Sequence, residues 1–219
     1  MATTTQQIAD KAWIQAQDNN GGTGTRWPSA EVLVWINDAQ REVAMNLPAA
    51  YVLKATGTLI AGSRQTLAGM GITNGASIVD IPRNTVGRAI TKRERAWMDN
   101  ARPEWHDETS TKVVHWFYDE RDPTACYVYP SVAAGTVDVV YHAIPADLAN
   151  LAASLVLSDI YANAVLYFTM ASMYAKDLNS IKSQGFATYY RQLAMQSLGL
   201  RDRAVLATAA QTTAKAQGT

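Results

Sequence analysis

The sequence predicts an α+β protein in which N- and C-terminal helices form a bundle with a central antiparallel β-rich insertion. Apolar residues recur at three-to-four spacing in residues 1–50 and again in 147–200, which indicates amphipathic helices. Residues 51–146 instead contain short runs rich in strand-forming residues, separated by Gly and Pro. Because helices with one apolar stripe must bury it against another element, we expect the terminal helices to pack together. Residues 201–219 are rich in Ala, Thr and Gln and have little to bury, so they form either a loose tail or a helix ordered only in an assembly.

The first fifty residues are predicted to form a helical hairpin. Thr4 and Gln7 have the spacing of a capping box at the start of the first helix. The turn-forming run 18–25 ends that helix. Ser29 is the expected N-cap of the second helix, and Pro48 ends it. The inward stripe of the second helix is predicted to contain Val32, Trp35 or Ile36, Ala39 and Val43.

The central segment is predicted to contain six or seven short antiparallel strands, since turns rather than crossover helices join them. Gly57 indicates a bulge in the first strand, 51–60, and Pro82 is expected to end the strand that begins at Ala76. The segment 61–66 reads as a turn into another short strand, and 85–91 is a further candidate strand. The clearest strands are 112–119, 125–129 and 136–142, and a helical turn is expected at 94–100. Trp97, Trp105 and Trp116 are expected to hold this module together.

Two further helices are predicted after Pro145. Ser158 and Asp159 can start a helix that runs to about Lys176, with Ile160, Ala164, Tyr167, Ala171 and Tyr174 on its inward stripe. Asn179 can cap the last helix, which Gly199 is expected to end after Leu198. Its inward stripe is predicted to contain Ala187, Tyr190, Ala194 and Leu198.

Charge and cysteine content narrow the function classes. The formal net charge is zero, so the chain lacks the overall positive field of a protein that scans DNA. The short basic run 92–95 is interrupted by Glu94 and reads as a solvated face or as a contact to a partner or phosphate. A single cysteine, Cys126, rules out an intrachain disulfide and a four-cysteine zinc site, and it is expected to be a small buried residue. The start of the chain does not resemble a signal peptide, and the apolar-rich stretch 151–174 carries too many polar residues for a membrane span.

No motif for catalysis or cofactor binding stands out. The glycine-rich run 21–25 lacks the Lys-Ser/Thr ending of a phosphate-binding loop. His106, His115 and His142 have no partner at metal-ligand spacing, and no Gly-x-Ser-x-Gly elbow is present. We therefore expect no catalytic residue, no metal and no cofactor.

A series of short motifs follows the same order as in a known family. The first is Arg26-Trp27, continued by the run 31–42 and by Leu47-Pro48. The others are 61–67, 82–84 with 87–90, 102–105, 127–130 with 137–141 and Pro145, and a closing helix pair that includes Tyr161 and 175–177. In order and spacing the chain resembles head-to-tail adaptor (connector) proteins of tailed bacteriophages, of the tail tubular protein A type found in short-tailed phages.

The resemblance implies a structural protein of the virion neck rather than an enzyme. It implies a ring of twelve copies between the portal protein and a tail or nozzle protein, assembled in the cytoplasm of the bacterial host. Genomic DNA would pass through the lumen without sequence reading, and zero net charge suits such a passage. The alternatives are another structural or interaction protein of the virion, a virion-associated hydrolase, or a nucleic-acid-binding accessory protein.

Candidate interface residues lie in the second helix, just before it, and in the tail. Arg26, Asn37, Asp38 and Arg41 are candidates for contacts between subunits, for fixing the first loop, or for packing within one subunit. Trp27 is a candidate for either the core or an interface. Arg201 and Arg203 belong to the tail, which is expected to become ordered on the portal.

Overall fold

A computed structural model describes residues 3–20, 24–176 and 180–216, with side chains described up to Gly199. These residues contain five α-helices and nine β-strands, so the α+β class is confirmed. The helices are α1 Thr5–Gln15, α2 Ser29–Asn46, α3 Arg95–Ala101, α4 Ala162–Ala175 and α5 Ile181–Ala216, with 3₁₀ turns at Pro48–Ala50 and Asp159–Tyr161. The strands are β1 Val52–Leu59, β2 Arg64–Thr66, β3 Gly75–Asn84, β4 Thr91–Arg93, β5 Thr109–Ser110, β6 His115–Tyr118, β7 Ala125–Tyr129, β8 Ser131–Val132 and β9 Gly135–Ala143.

The chain divides into two compact units. Met1–Ala50 and Pro145–Thr219 form the first, here called the helical unit, and Tyr51–Ile144 forms the second, the β unit. Within the described part of the chain, no helix is long and apolar enough to cross a membrane.

The two N-terminal helices differ in how they begin. The capping box of α1 is confirmed, because the Thr4 hydroxyl accepts the N–H of Gln7 and the Gln7 side chain accepts the N–H of Thr4. The prediction that Ser29 caps α2 is wrong. Pro28 is the extended N-cap residue, and its carbonyl accepts the N–H of Val32 at 3.1 Å. Ser29 is therefore already helical and makes no side-chain cap.

The helix α4 is covered on several sides, since it contacts α1, α2 and α5. The predicted inward stripe is accordingly wrong in part. Ile160 precedes the helix and is 53% exposed, and Tyr167, Ala171 and Tyr174 are only half-buried. A helix packed against three others has no single inward stripe. The buried residues of α4 are Ala164, Val165, Leu166, Phe168, Thr169, Met170 and Met173.

The last helix follows its predicted stripe but not its predicted end. Ala194 and Leu198 are buried, and Ala187 and Tyr190 are half-buried. The expectation that Gly199 ends the helix is wrong, because α5 continues to Ala216. Among the described glycines, only those at positions 62, 71 and 87 have a positive φ, so Gly199 lacks the left-handed conformation that closes a helix. The proposed cap, Asn179, lies outside the described residues.

The β unit contains a three-stranded sheet with the order β1-β9-β3, a four-stranded sheet with the order β2-β7-β6-β4, and the pair β5-β8. The prediction of a wholly antiparallel module is wrong, because β4 pairs with β6 and β5 with β8 in parallel. The chain between β4 and β6 includes α3 and a long loop. This connection is long enough for the crossover that parallel strands need.

Three local strand predictions also fail. β1 pairs with β9 in unbroken register through Gly57, so there is no bulge there. β3 continues through Pro82, because it is an edge strand whose register with β9 shifts between Asp80 and Arg83; proline is tolerated at edges and bulges. The candidate strand at 85–91 is absent from the described structure, where Ala89 makes only an isolated bridge and β4 begins at Thr91.

The aromatic residues of the β unit fill two cores. Trp116 belongs to the larger core, and Trp105 packs with Met98 and Phe117 in a smaller one. Trp97 is 50% exposed, so the expectation that it holds the module together is wrong. Cys126 is buried as predicted, and its burial raises the pKa of the thiol to about 12.

Candidate functional site

The loop between α1 and α2 is held by one carboxylate. Asp18 accepts hydrogen bonds from the backbone N–H groups of Thr25, Arg26 and Trp27, at 3.1, 2.9 and 3.0 Å. Partial burial opposes ionisation of Asp18, but these donors outweigh it, and the pKa of Asp18 lies below its usual value. The Arg26-Trp27 pair therefore has a fixed backbone position at the entrance of α2.

Trp27 joins three parts of the helical unit. Its indole N–H donates to the carbonyl of Met173 at 2.9 Å, and its own carbonyl accepts the indole N–H of Trp13 at 2.9 Å. A Cβ at Gly24 would lie 2.3 Å from the Trp13 indole nitrogen, so only glycine fits beside this contact. Trp27 is 2% exposed, and it thus ties the loop to α1 and α4 inside the unit.

Two buried side-chain amides of α2 bind the backbone of the segment 148–156, which precedes α4. The Asn37 side chain donates to the carbonyl of Leu148 at 3.1 Å and accepts its N–H at 3.0 Å. Gln40, for which the sequence predicts no role, accepts the N–H of Val156 at 2.8 Å. The one sign of its burial in the sequence is that it is a polar residue next to the apolar stripe of α2, between Ile36 and Val43.

The charged candidates lie at the surface. Arg41 donates hydrogen bonds to both Asp38 and Asp147, and the bond that it donates to Asp38 is the main cause of its raised pKa. Arg26 is exposed and lies 4.7 Å above the Trp27 ring. Exposed pairs of this kind add little stability. Arg201 and Arg203 fall in the last part of α5, where only the backbone is described.

The helix α5 presents apolar side chains that its own unit does not cover. Phe186, Tyr189 and Met195 are 49, 53 and 46% exposed. Phe186 also packs against Tyr174 of α4, with 5.2 Å between the ring centres. Large half-exposed apolar residues on one helix are typical of a protein-binding surface rather than of a solvated one. Further exposed apolar residues of the helical unit are Ile14, Val34, Met45, Ile160 and Ile181.

A shallow groove of about 200 Å³ lies between α2, α4 and α5. Small residues, Ala39, Ala171 and Ala187, line its walls. The ion pair between Arg191 and Glu42, at 3.2 Å, crosses its rim. The groove has the size of a side-chain contact rather than of a cofactor pocket.

Two serine–histidine contacts occur in the β unit. Ser63 Oγ lies 2.7 Å from His106 Nδ1, and Ser77 Oγ lies 2.8 Å from His142 Nδ1. Within the described residues no carboxylate hydrogen-bonds either histidine, whereas a catalytic histidine is normally oriented by a third group. The described part of the chain also contains no cluster of three or more His, Cys, Asp or Glu side chains that could hold a metal ion.

Comparison with known proteins gives one family. The family described as SU10 adaptor protein matches residues 3–215, which is nearly the whole chain and includes both units. A search of the curated proteins finds no match. The chain therefore belongs to the SU10 adaptor protein family and is a bacteriophage structural adaptor, a virion component that interacts with other virion proteins.

Proposed function

We propose that this adaptor is a head-to-tail connector of the tail tubular protein A type. Twelve copies form a ring between the portal protein and a tail or nozzle protein, and genomic DNA passes through the lumen. The ring assembles in the host cytoplasm, and the protein has no enzymatic activity. Membership of an adaptor family and the motif order of the sequence support this proposal.

The observation that carries the proposal is the set of large apolar side chains that α5 leaves half exposed. Phe186, Tyr189 and Met195 are about half exposed on a helix that also packs against α4. A cyclic ring needs two different surfaces on each subunit. In this proposal the N- and C-terminal helices form the bundle, and α5 presents one of those surfaces to the next copy.

The β unit and the end of α5 have a separate role in the proposal. The β unit is an insertion in the bundle that extends toward axial partners. The last turns of α5, with Arg201 and Arg203, dock on the portal. The helix α5 is 36 residues long, and this length suits such a contact.

The zero net charge of the chain is consistent with a lumen through which DNA passes without being held. Affinity for duplex DNA rises with the number of phosphates that a protein neutralises. A chain with equal numbers of basic and acidic residues has no excess charge with which to hold the genome. We therefore expect weak, salt-sensitive contact with DNA and no sequence preference.

The test is the mass of the particle in solution. The purified chain is measured alone and mixed with its portal, by mass photometry and then by negative-stain imaging. The proposal expects rings on the portal and expects Tyr189→Glu to lose them, because a buried carboxylate at an apolar contact is costly. Tyr189→Phe keeps the apolar ring at the same position and is the matched control, which is expected to retain the rings.

Two results would contradict the proposal. A chain that stays monomeric with and without the portal would favour another structural or interaction role in the virion. Rings that tolerate Tyr189→Glu would show that α5 is not a subunit contact. Release of sugar or peptide fragments from purified cell-wall material would instead favour a virion-associated hydrolase.

A further inference from the structure

A cleft of about 850 Å³ opens in the β unit between β4, the start of α3 and the turn from β6 to β7. Its lining includes Lys92, Arg93, Arg95, Arg121, Tyr118 and Tyr127. We call it the cation–aromatic cleft. It contains the short basic run 92–95, for which the sequence allows two interpretations, a solvated face or a contact to a partner or phosphate.

Aromatic rings hold the cations of this cleft in place. Lys92 Nζ lies 5.1 Å from the ring centre of Trp116, the Arg93 guanidinium 5.5 Å above Trp97, and the Arg95 guanidinium 4.7 Å above Tyr127. Cation–π contact fixes a charged group without using its hydrogen-bond donors. These donors are therefore oriented before any partner arrives, which lowers the entropic cost of binding.

Two of these cations have no acidic partner. Among the residues that the structure describes, Arg95 pairs with Asp99 at 3.3 Å, whereas neither Lys92 nor Arg93 has a carboxylate within 4.0 Å. Both side chains are exposed. A carboxylate from a partner would complete a charge-assisted pair with each of them.

The cleft also has an open strand edge. β4 lies at the end of the order β2-β7-β6-β4 and pairs only with β6. All three of its residues are exposed. An edge strand of this kind can accept an extended chain as an additional strand.

The charges of the cleft favour a peptide over nucleic acid. Glu94, Asp119 and Glu120 line the same cleft as the cations. The uniformly negative backbone of DNA would meet these three carboxylates. An extended peptide can place its acidic side chains opposite Lys92 and Arg93 and leave uncharged residues elsewhere.

We propose that the cation–aromatic cleft is a docking site for an extended acidic segment of another virion protein. The segment pairs with the free edge of β4, and its carboxylates bind Lys92 and Arg93. This inference adds a partner segment to the proposed connector, and it rests on that proposal only in assigning the segment to a virion protein. Its test requires neither a ring nor a portal.

The test uses the full-length chain and a short synthetic peptide in which pairs of glutamates alternate with pairs of threonines. Successive residues of a strand point to opposite faces, so paired glutamates can reach both Lys92 and Arg93. Binding is followed by the ¹H–¹⁵N shifts of backbone amides and tryptophan indoles. We expect saturable shifts at β4 and at the indole groups of Trp97 and Trp116. The same peptide with glutamine in place of every glutamate is the neutral control, and a short DNA duplex tests the competing ligand.

Variants separate this site from general charge attraction. Lys92→Gln with Arg93→Gln is expected to raise the Kd of the acidic peptide about tenfold, the loss expected for two exposed ion pairs. Lys11→Gln with Lys182→Gln removes the same charge from exposed positions of the helical unit and is expected to leave the Kd unchanged. Arg121→Gln, a single exposed change in the cleft, gives a second measurement if the double variant folds poorly.

Several results would overturn the inference. They are an unchanged Kd in the cleft variants, shifts confined to other surfaces, the absence of saturable binding, and displacement of the peptide by the DNA duplex at physiological salt. Loss of ring formation by Tyr189→Glu with normal peptide binding would support both proposals. Peptide binding by a chain that never forms rings would support the cleft and contradict the connector.

Discussion

In the helical unit, single polar side chains fix the position of backbone segments by hydrogen bonds. Asp18 accepts three backbone N–H groups from residues that lie seven to nine positions further along the chain. The sequence predicts a turn in this region from its glycines, but it cannot show which carboxylate reaches which N–H group. That choice depends on how α1 and α2 pack, which is a tertiary property.

Asp18→Ala is expected to lower the free energy of unfolding by about 1–2 kcal/mol at neutral pH, because charge-assisted bonds to the loop are lost. The pKa of Asp18 is lower in the folded state than the value of about 3.9 usual for an unfolded chain. Its contribution is therefore complete above about pH 4 and is lost as the pH falls through the folded-state pKa. Thermal unfolding of both proteins from neutral pH to about pH 3 checks this. A difference that grows on acidification would contradict it.

Asn37 distinguishes packing within a subunit from contact between subunits. Asn37→Ala leaves the N–H and carbonyl of Leu148 without the partners they now have. We expect it to destabilise the isolated subunit by about 2 kcal/mol, measured by urea unfolding. Asn46→Ala, at an exposed position with one bond to the carbonyl of Glu42, is the control and should cost much less. Equal small effects would return Asn37 to the set of interface candidates.

At the scale of elements, β1 shows why a glycine can be misread. Glycine in a strand is compatible with a bulge or with close packing, and the sequence alone does not separate them. At Gly57 the register with β9 is unbroken. A Cβ there would lie 3.1 Å from the Met70 Cβ and 3.2 Å from a methyl group of Val139.

Gly57→Ala is therefore expected to destabilise the β unit by about 1–3 kcal/mol through overpacking. Gly135→Ala, on the paired strand β9, is the matched control because a Cβ there meets its nearest neighbours at 3.4 and 3.8 Å. Chemical unfolding followed by tryptophan fluorescence measures both. A similar cost for the two variants would show that backbone conformation, not packing, sets the need for glycine.

Gly199 gives the opposite expectation. It lies inside α5, it is exposed, and a Cβ there would have no atom within 4 Å. Gly199→Ala should therefore stabilise the helix by about 0.5–1 kcal/mol and slow amide exchange on both sides of it. Faster exchange or a lower melting temperature would indicate that the helix ends here after all.

Some predictions that depend only on neighbours in sequence are confirmed, whereas the Ser29 cap of α2 and the end of α5 at Gly199 are equally local and are wrong. The capping box of α1 needs only Thr4 and Gln7, and the stripe of Val32, Ile36, Ala39 and Val43 needs only the helix period. The parallel pairing of β4 with β6 and the many-sided burial of α4 depend on distant elements. The candidate site divides in the same way, since the Arg26-Trp27 motif is visible in the sequence but the Trp27 bond to Met173 is not.

At the scale of the whole chain, the two ends of the β unit meet. The N–H of Ala143 donates to the carbonyl of Tyr51 at 2.9 Å, and Val52 pairs with His142. The β unit thus begins and ends at neighbouring points. Domain insertions commonly have termini placed side by side in this way.

Each unit is accordingly expected to fold without the other. A variant in which a short Gly-Ser linker replaces 51–144, and a separate chain of 51–144, should each give one cooperative thermal transition and dispersed amide spectra. The linker has only a short distance to span, so its closure costs little entropy. A fragment with broad, non-cooperative melting would show that the two units form one folding unit.

Cys126 has a consequence for labelling. It is the only cysteine in the chain, and burial raises the pKa of its thiol to about 12, so maleimide dyes and spin labels have almost no thiolate to attack at neutral pH. A cysteine introduced at an exposed position such as Tyr189 or Arg93 would then be the one site that reacts. Distances between copies, or between the chain and its partners, could be measured by fluorescence transfer or electron spin resonance without removing the native residue.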